Sequence, residues 1–233
     1  MRRETENTVL LLVGVSLVMV TVTGAYTRYV KPAMLPWLAA SAAILIALAL
    51  TAIVRDIRAG TAQGDGGHTH RGGIVWLLTV PIVLLIFIVP PALSARAASP
   101  LTTTNAVQRP FPPLPPGRAP DVSLPEVLMR IATDSTGELN GRPITVTGFT
   151  LRDGNRVDLA KIVIICCAAD AQLARLHLSG PASVTAAALP DNTWVRVEGT
   201  VPAGQTYSGT SSIPTLDGSS LVRIDPPANT YGS

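Results

Sequence analysis

Three apolar runs dominate the first 93 residues and constrain the chain more than any other feature. The run 9–29 carries no charge before Arg28. The runs 34–54 and 74–93 carry none. A helix rises ~1.5 Å per residue, so about 20 residues cross a ~30 Å hydrocarbon core. In lipid every backbone N–H and C=O must be satisfied within the segment, and a helix does that. The runs predict three transmembrane helices, over 9–29, 34–54 and 74–93. The first is read as a retained span and not a cleaved leader. No small-x-small site closes it, and a second span follows directly.

Charge sets the orientation. Arg2, Arg3, Arg55, Arg58 and Arg71 fall on one side of the expected spans, with Arg28, Lys31 and Arg96 on the other. The positive-inside rule places the first group in the cytoplasm. The N-terminus and the 55–73 loop are then cytoplasmic, and the C-terminal region is extracytoplasmic. The net charge of +3 does not indicate nucleic acid. Residues 1–120 hold ten Lys/Arg and four Asp/Glu, whereas 121–233 hold eight and eleven. The basic excess lies beside the apolar runs, and the polar half is mildly acidic, which argues against nucleic-acid binding. The expected surroundings are a lipid bilayer and a multi-pass cell-membrane location.

Residues 96–120 read as a proline-rich linker. Pro110, Pro112, Pro113, Pro115 and Pro116 favour extended polyproline II and predict a semi-rigid spacer. A soluble β-rich domain is expected over 121–233. Ser123, Pro125 and Glu126 predict the start of a short helix that ends near Gly137. Strands are expected over 144–151, 157–166, 173–178, 194–201 and 221–224, with Lys161 interrupting the second and a long Gly/Ser/Thr-rich loop near 205–220. Five short strands after one helix favour a small closed sheet, an OB-like barrel, because closure removes exposed edges.

Within this domain Cys166 and Cys167 are adjacent, with Asp170 three residues on. Three chemistries fit. Both thiols can be small buried hydrophobes. Two thiolates, with Asp170 or His177, can hold zinc or copper. A strained vicinal disulfide can act as a redox switch. Side chains at consecutive strand positions face opposite ways, so a shared role requires the strand to end at the cysteines. The candidate metal ligands are Cys166, Cys167, Asp170 and His177. His68 and His70 in the Gly-rich cytoplasmic loop could touch a metal, but two histidines are few and the stretch reads as a flexible polar connector. Asp153 and Asp158 read as solvated carboxylates beside strands. There is no Walker loop, GxSxG, HExxH or dinucleotide fingerprint, so no enzyme is expected. The runs carry no acid or base at mid-depth, which points to an accessory subunit or anchor and not a self-sufficient transporter.

Several stretches resemble the YcgQ-like family of bacterial membrane proteins. They are Tyr29-Val30-Lys31-Pro32, the run Asn140-Gly141-Arg142-Pro143 through Phe149, and above all Ile165-Cys166-Cys167-Ala168-Ala169-Asp170-Ala171. The resemblance implies an accessory permease subunit whose partner is a separate multi-pass permease. It implies no established substrate and no catalytic residue. It marks Cys166, Cys167, Ala169 and Asp170 as the signature cluster. The expected function is therefore an accessory subunit of a two-part permease with a ligand- or metal-binding β domain. The alternatives are a membrane-anchored thiol–disulfide protein and a structural anchor with core cysteines.

Overall fold

The computed structural model describes residues 3–59, 94–95, 98–101, 110–209, 212–227 and 229–231. The chain divides into two compact units, Met1–Ala92 and Leu93–Ser233.

In the N-terminal unit, helix α1 spans Arg3–Val22 and helix α2 spans Leu35–Ala59. The two pack on each other through small residues. Ala42 and Ala49 of α2 are buried, and a Cβ on Gly14 of α1 would lie 2.7 Å from Ile46 Cγ1. Hydroxyls along α1 bond back to the helix: Ser16 donates to the Leu12 carbonyl and Thr21 to the Leu17 carbonyl, both at 2.7 Å. Among the described residues one helix is long and apolar enough to cross a membrane, Pro32–Arg55, with mean hydropathy 2.4. The expected span 9–29 is shorter than the sequence suggested. Its apolar helical part is Val9–Val22. Gly24 then takes a left-handed φ of 72°, and a 3-10 turn follows over Ala25–Arg28. That conformation costs glycine little, and it stops the helix. The expected span 74–93 and the His68/His70 loop lie outside the described residues.

In the C-terminal unit, strand β1 is Ser99–Pro100 and helix α3 is Leu124–Thr133. Strands β2 (Pro143–Asp153), β3 (Arg156–Val163) and β4 (Gln172–Ser179) follow. Helix α4 is Gly180–Ala187, and strands β5 (Trp194–Thr200) and β6 (Thr215–Arg223) complete the sheet. β2 pairs antiparallel with β3 and β5, β3 with β4, and β5 with β6. β4 also pairs parallel with β6, so the hydrogen-bonded circuit β4–β3–β2–β5–β6 returns to β4.

Alternation along the strands builds two apolar clusters. Ile144, Val146, Leu159, Leu176, Val195, Val197 and Leu216 face inward and pack with Leu124, Val127 and Leu128 of α3. Phe149, Ala160, Ile162 and Leu173 face the other side, where Trp194 meets Phe149 edge-on at 5.7 Å. Each fully buried Leu, Ile or Val contributes about 1.5–3 kcal/mol. Exposed ion pairs give about 0–1 kcal/mol, so the core and not the surface charge holds this unit together. Lys161 does not break β3. It sits half-buried, and burial pulls its pKa down.

Three expectations change here. Residues 110–120 are not a free spacer, because Leu114 is buried in the core. Its N–H donates to Glu138 at 2.9 Å, and the Pro112 carbonyl accepts from the buried Arg130 at 2.8 Å. Arg130 also lies over the Phe111 ring, 4.9 Å from its centre. The segment 205–220 is not all loop, because β6 begins at Thr215. Its Gly218 is needed for space: a Cβ there would lie 2.4 Å from Ala182 Cβ of α4. Helix α4 itself was not anticipated, since eight residues give too little periodicity to read.

Candidate metal-binding loop

β3 ends at Val163 and β4 begins at Gln172, so the cysteines lie in the loop between them. Once the strand has ended, the opposite-facing rule no longer applies. A 3-10 turn over Ala168–Asp170 folds the loop back on itself. Ligand atoms of Cys166, Cys167 and Asp170 all lie within 4.8 Å of one another, and among the described residues this trio is the group that could hold a metal ion. Both cysteines are free thiols; Cys166 is exposed and Cys167 half-buried.

Asp170 organises the loop. Its Oδ1 accepts the Ile165 N–H at 2.9 Å, and its Oδ2 accepts those of Cys166 at 2.8 Å and Cys167 at 3.3 Å. In return the Asp170 N–H bonds to Cys167, both to its carbonyl at 3.0 Å and to its side chain, in a reciprocal cap. Partial burial alone would raise the Asp170 pKa. The Cys166 thiol and the backbone N–H groups of Cys166, Ile165 and Cys167 outweigh it and hold the carboxyl below its ordinary value. The same contact acts oppositely on the thiol. The hydrogen bond to Asp170, then that to Cys167, pushes Cys166 up to about 11.

His177 is not part of this group. It sits on β4 opposite Asp158 of β3, whereas Val163 and Gln172 pair at the loop end. Five residues along a strand, at ~3.3 Å each, place it about 16 Å from that end. There it belongs to a second polar cluster that sequence reasoning missed. Asp158, read as solvated, is fully buried. Its Oδ1 meets His177 Nδ1 at 2.5 Å, and its Oδ2 accepts from Arg175 Nε at 2.8 Å and from Arg175 Nη2. Arg175 also reaches Asp153 at 2.6 Å, and this hydrogen bond holds Asp153 below its ordinary pKa. The sequence signal available was the alternation Leu173, Arg175, His177 on one face of β4 with Asp158 on its antiparallel neighbour.

Residues 6–108 match the DUF1980 N-terminal domain family, and residues 126–232 match the DUF1980 C-terminal domain family. Both DUF1980 domain families are matched. The cysteine loop, the buried Asp158 and the closed strand circuit all fall within the DUF1980 C-terminal match. No curated protein matches the chain. Among solved structures it is similar to asparaginyl-tRNA synthetase from Pyrococcus horikoshii, at 17% identity, 45% of this chain, 23% of that chain and a TM-score of 0.28. It is also similar to a chain described as an aspartyl-tRNA synthetase from Leishmania major Friedlin, at 11% identity, 54% of this chain, 24% of that chain and a TM-score of 0.30. The chain spans about a quarter of the length of these two structures, and likeness at this level carries no functional argument.

Proposed function

We propose that this chain is an accessory subunit of a two-part membrane permease of the YcgQ-like type, and that its C-terminal domain binds a metal ion outside the cytoplasmic membrane. The observation that carries this reading is the convergence of Cys166, Cys167 and Asp170 within 4.8 Å in a chain that also holds a membrane-length apolar helix. Thiolates are ligands for borderline and soft ions such as zinc and copper(I). The closed five-strand circuit supports an OB-like barrel as the scaffold that presents the loop. The apolar runs have no acid or base at mid-depth, so a multi-pass permease supplies the path and this subunit supplies binding.

The test is extraction of the tagged full chain from its native membrane in a mild detergent, followed by native mass spectrometry and metal analysis. The expected outcome is a defined complex that takes up zinc or copper(I), with uptake lost in Cys166→Ser/Cys167→Ser. A lone chain that binds neither metal sinks the proposal.

A further inference from the structure

The cluster offers a carboxylate and two thiols, and these three groups are not equally available. An ionised carboxylate has about four lone-pair sites. Three N–H donors, from Ile165, Cys166 and Cys167, already occupy Asp170. A metal bound through Asp170 would compete with these donors for the carboxylate that holds the turn and brings the cysteines together. The sulfurs carry no such load. Cys167 Sγ accepts the Asp170 N–H, which is the kind of outer contact that steadies a metal-bound thiolate. Cys166 is exposed and open to an incoming ion.

We infer that the two thiolates alone are the protein's metal ligands, that Asp170 is a positioning residue, and that the loop takes a soft monovalent ion, copper(I), in preference to zinc. This rests on the proposed metal-binding reading of the loop. Protein zinc sites use three or four side-chain ligands in tetrahedral geometry, and the loop offers two. Thiolate ligands select copper(I). Two metal–sulfur bonds of ~2.3 Å reach across about 4.6 Å at most, and the ligand atoms of the trio lie within 4.8 Å of one another, so one ion can engage both sulfurs with little movement of the loop. On binding, each S–H loses its proton to solvent, two S–Cu bonds form and no electron is transferred. The bound ion carries a net charge of −1 with its two thiolates. The exposed side at Cys166 leaves it reachable by a third, incoming ligand, so the ion is held for exchange and not for storage.

The full chain in detergent, fully reduced, is titrated with copper(I) held by a chromogenic chelator and separately with zinc against a zinc chelator. X-ray absorption is then recorded at the copper edge. The expected result is one copper(I) per chain, two sulfur neighbours, no oxygen neighbour, and copper(I) preferred over zinc. Loss of either thiol, Cys166→Ser or Cys167→Ser, abolishes binding. Asp170→Ala weakens it by about 10–100-fold, as loss of an orienting group does, and Asp170→Asn, which keeps one acceptor oxygen where the carboxylate has two, restores only part of that. An oxygen neighbour in the wild-type spectrum, or zinc bound more tightly than copper(I), overturns the dithiolate inference and leaves the metal reading standing. The wild-type spectrum makes this judgement even where a variant fails to fold. No uptake of either metal by a chain whose two thiols titrate as free overturns both.

Discussion

Asp158 lies within β3 and Asp170 in the loop that joins β3 to β4, and their carboxylates are satisfied by opposite means. Asp158 is fully buried and held by the Arg175 guanidinium and the His177 ring. Asp170 is half-buried and held by three backbone N–H groups and a thiol. The first arrangement depends on partners from a neighbouring strand and fixes how β3 and β4 sit together. The second is local, complete within six residues, and shapes a loop whose thiols remain available. A buried carboxylate with long-range charged partners serves the fold. An accessible carboxylate with short-range neutral donors serves a site.

The largest effect that separates the two is expected at Asp158. Asp158→Asn keeps the volume but removes the charge that faces Arg175 and His177. Breaking a buried ion pair from one side costs about 3–5 kcal/mol. Arg175 retains 23% side-chain exposure, so the lower end, about 3 kcal/mol, is expected. Thermal unfolding of the detergent-solubilised chain, followed by the β-sheet signal in circular dichroism, measures it. Thiol counts at Cys166 and Cys167 in the folded variant stay at two. A loss under about 1 kcal/mol would mean that Asp158 does not anchor the strand pair.

The contrast also explains what the sequence could and could not disclose. The Asp170 loop was legible because its parts are contiguous: two cysteines, a short turn and an acid three residues on. The strands β2 to β5 were legible from alternation, and helix α3 from Ser123, Pro125 and Glu126, which are placed as expected. The Asp158 cluster was not, because its pairing depends on register. The eight residues between β3 and β4 do not fix which residue of one strand faces which of the other. Only the observed register sets Asp158 against His177, and the same register places His177 away from the cysteine loop. The proline segment failed for a related reason. Polyproline geometry is local, but the partners that hold it, Arg130 and Glu138, lie far along the chain. The end of β6 was expected over 221–224, but its first part hid in a Gly/Ser-rich stretch because its small residues answer to Ala182 of α4, a helix too short to predict.

A smaller effect is expected at Asp170. Asp170→Ala removes acceptors for three N–H groups, but the loop reaches water and solvent replaces part of what is lost. A net hydrogen bond is worth about 0.5–1.5 kcal/mol, so a loss of about 1–2 kcal/mol is expected. The chemical readout is sharper. Without the carboxylate, the Cys166 thiol returns from about 11 toward its ordinary value of 9.0. One unit is a factor of ten in thiolate at fixed pH, so alkylation by iodoacetamide at pH 8 accelerates by about tenfold or more. The wild-type fold favours the protonated Cys166 thiol. The stability tied to that preference is present below the ordinary thiol value and declines as pH rises from 9.0 toward about 11. Asp170→Ala flattens that alkaline limb. Unchanged alkylation would show that Asp170 does not govern the thiol.

The smallest effect is expected at Asp153, which joins the Asp158 cluster from the surface. Its carboxylate meets Arg175 at 2.6 Å but is 57% exposed. Exposed ion pairs contribute about 0–1 kcal/mol, so Asp153→Asn costs about 0.5 kcal/mol, well below Asp158→Asn. The sign of its pH dependence follows from the lowered Asp153 pKa, set first by the Arg175 hydrogen bond. Its contribution is fully present above the ordinary carboxylate range and is lost as pH falls through the depressed value. Melting temperatures of wild type and Asp153→Asn should therefore differ slightly at pH 7 and converge in acid. If Asp153→Asn costs as much as Asp158→Asn, burial is not what separates the two acids around Arg175, and the distinction between fold-serving and site-serving carboxylates would need a cause other than access to water.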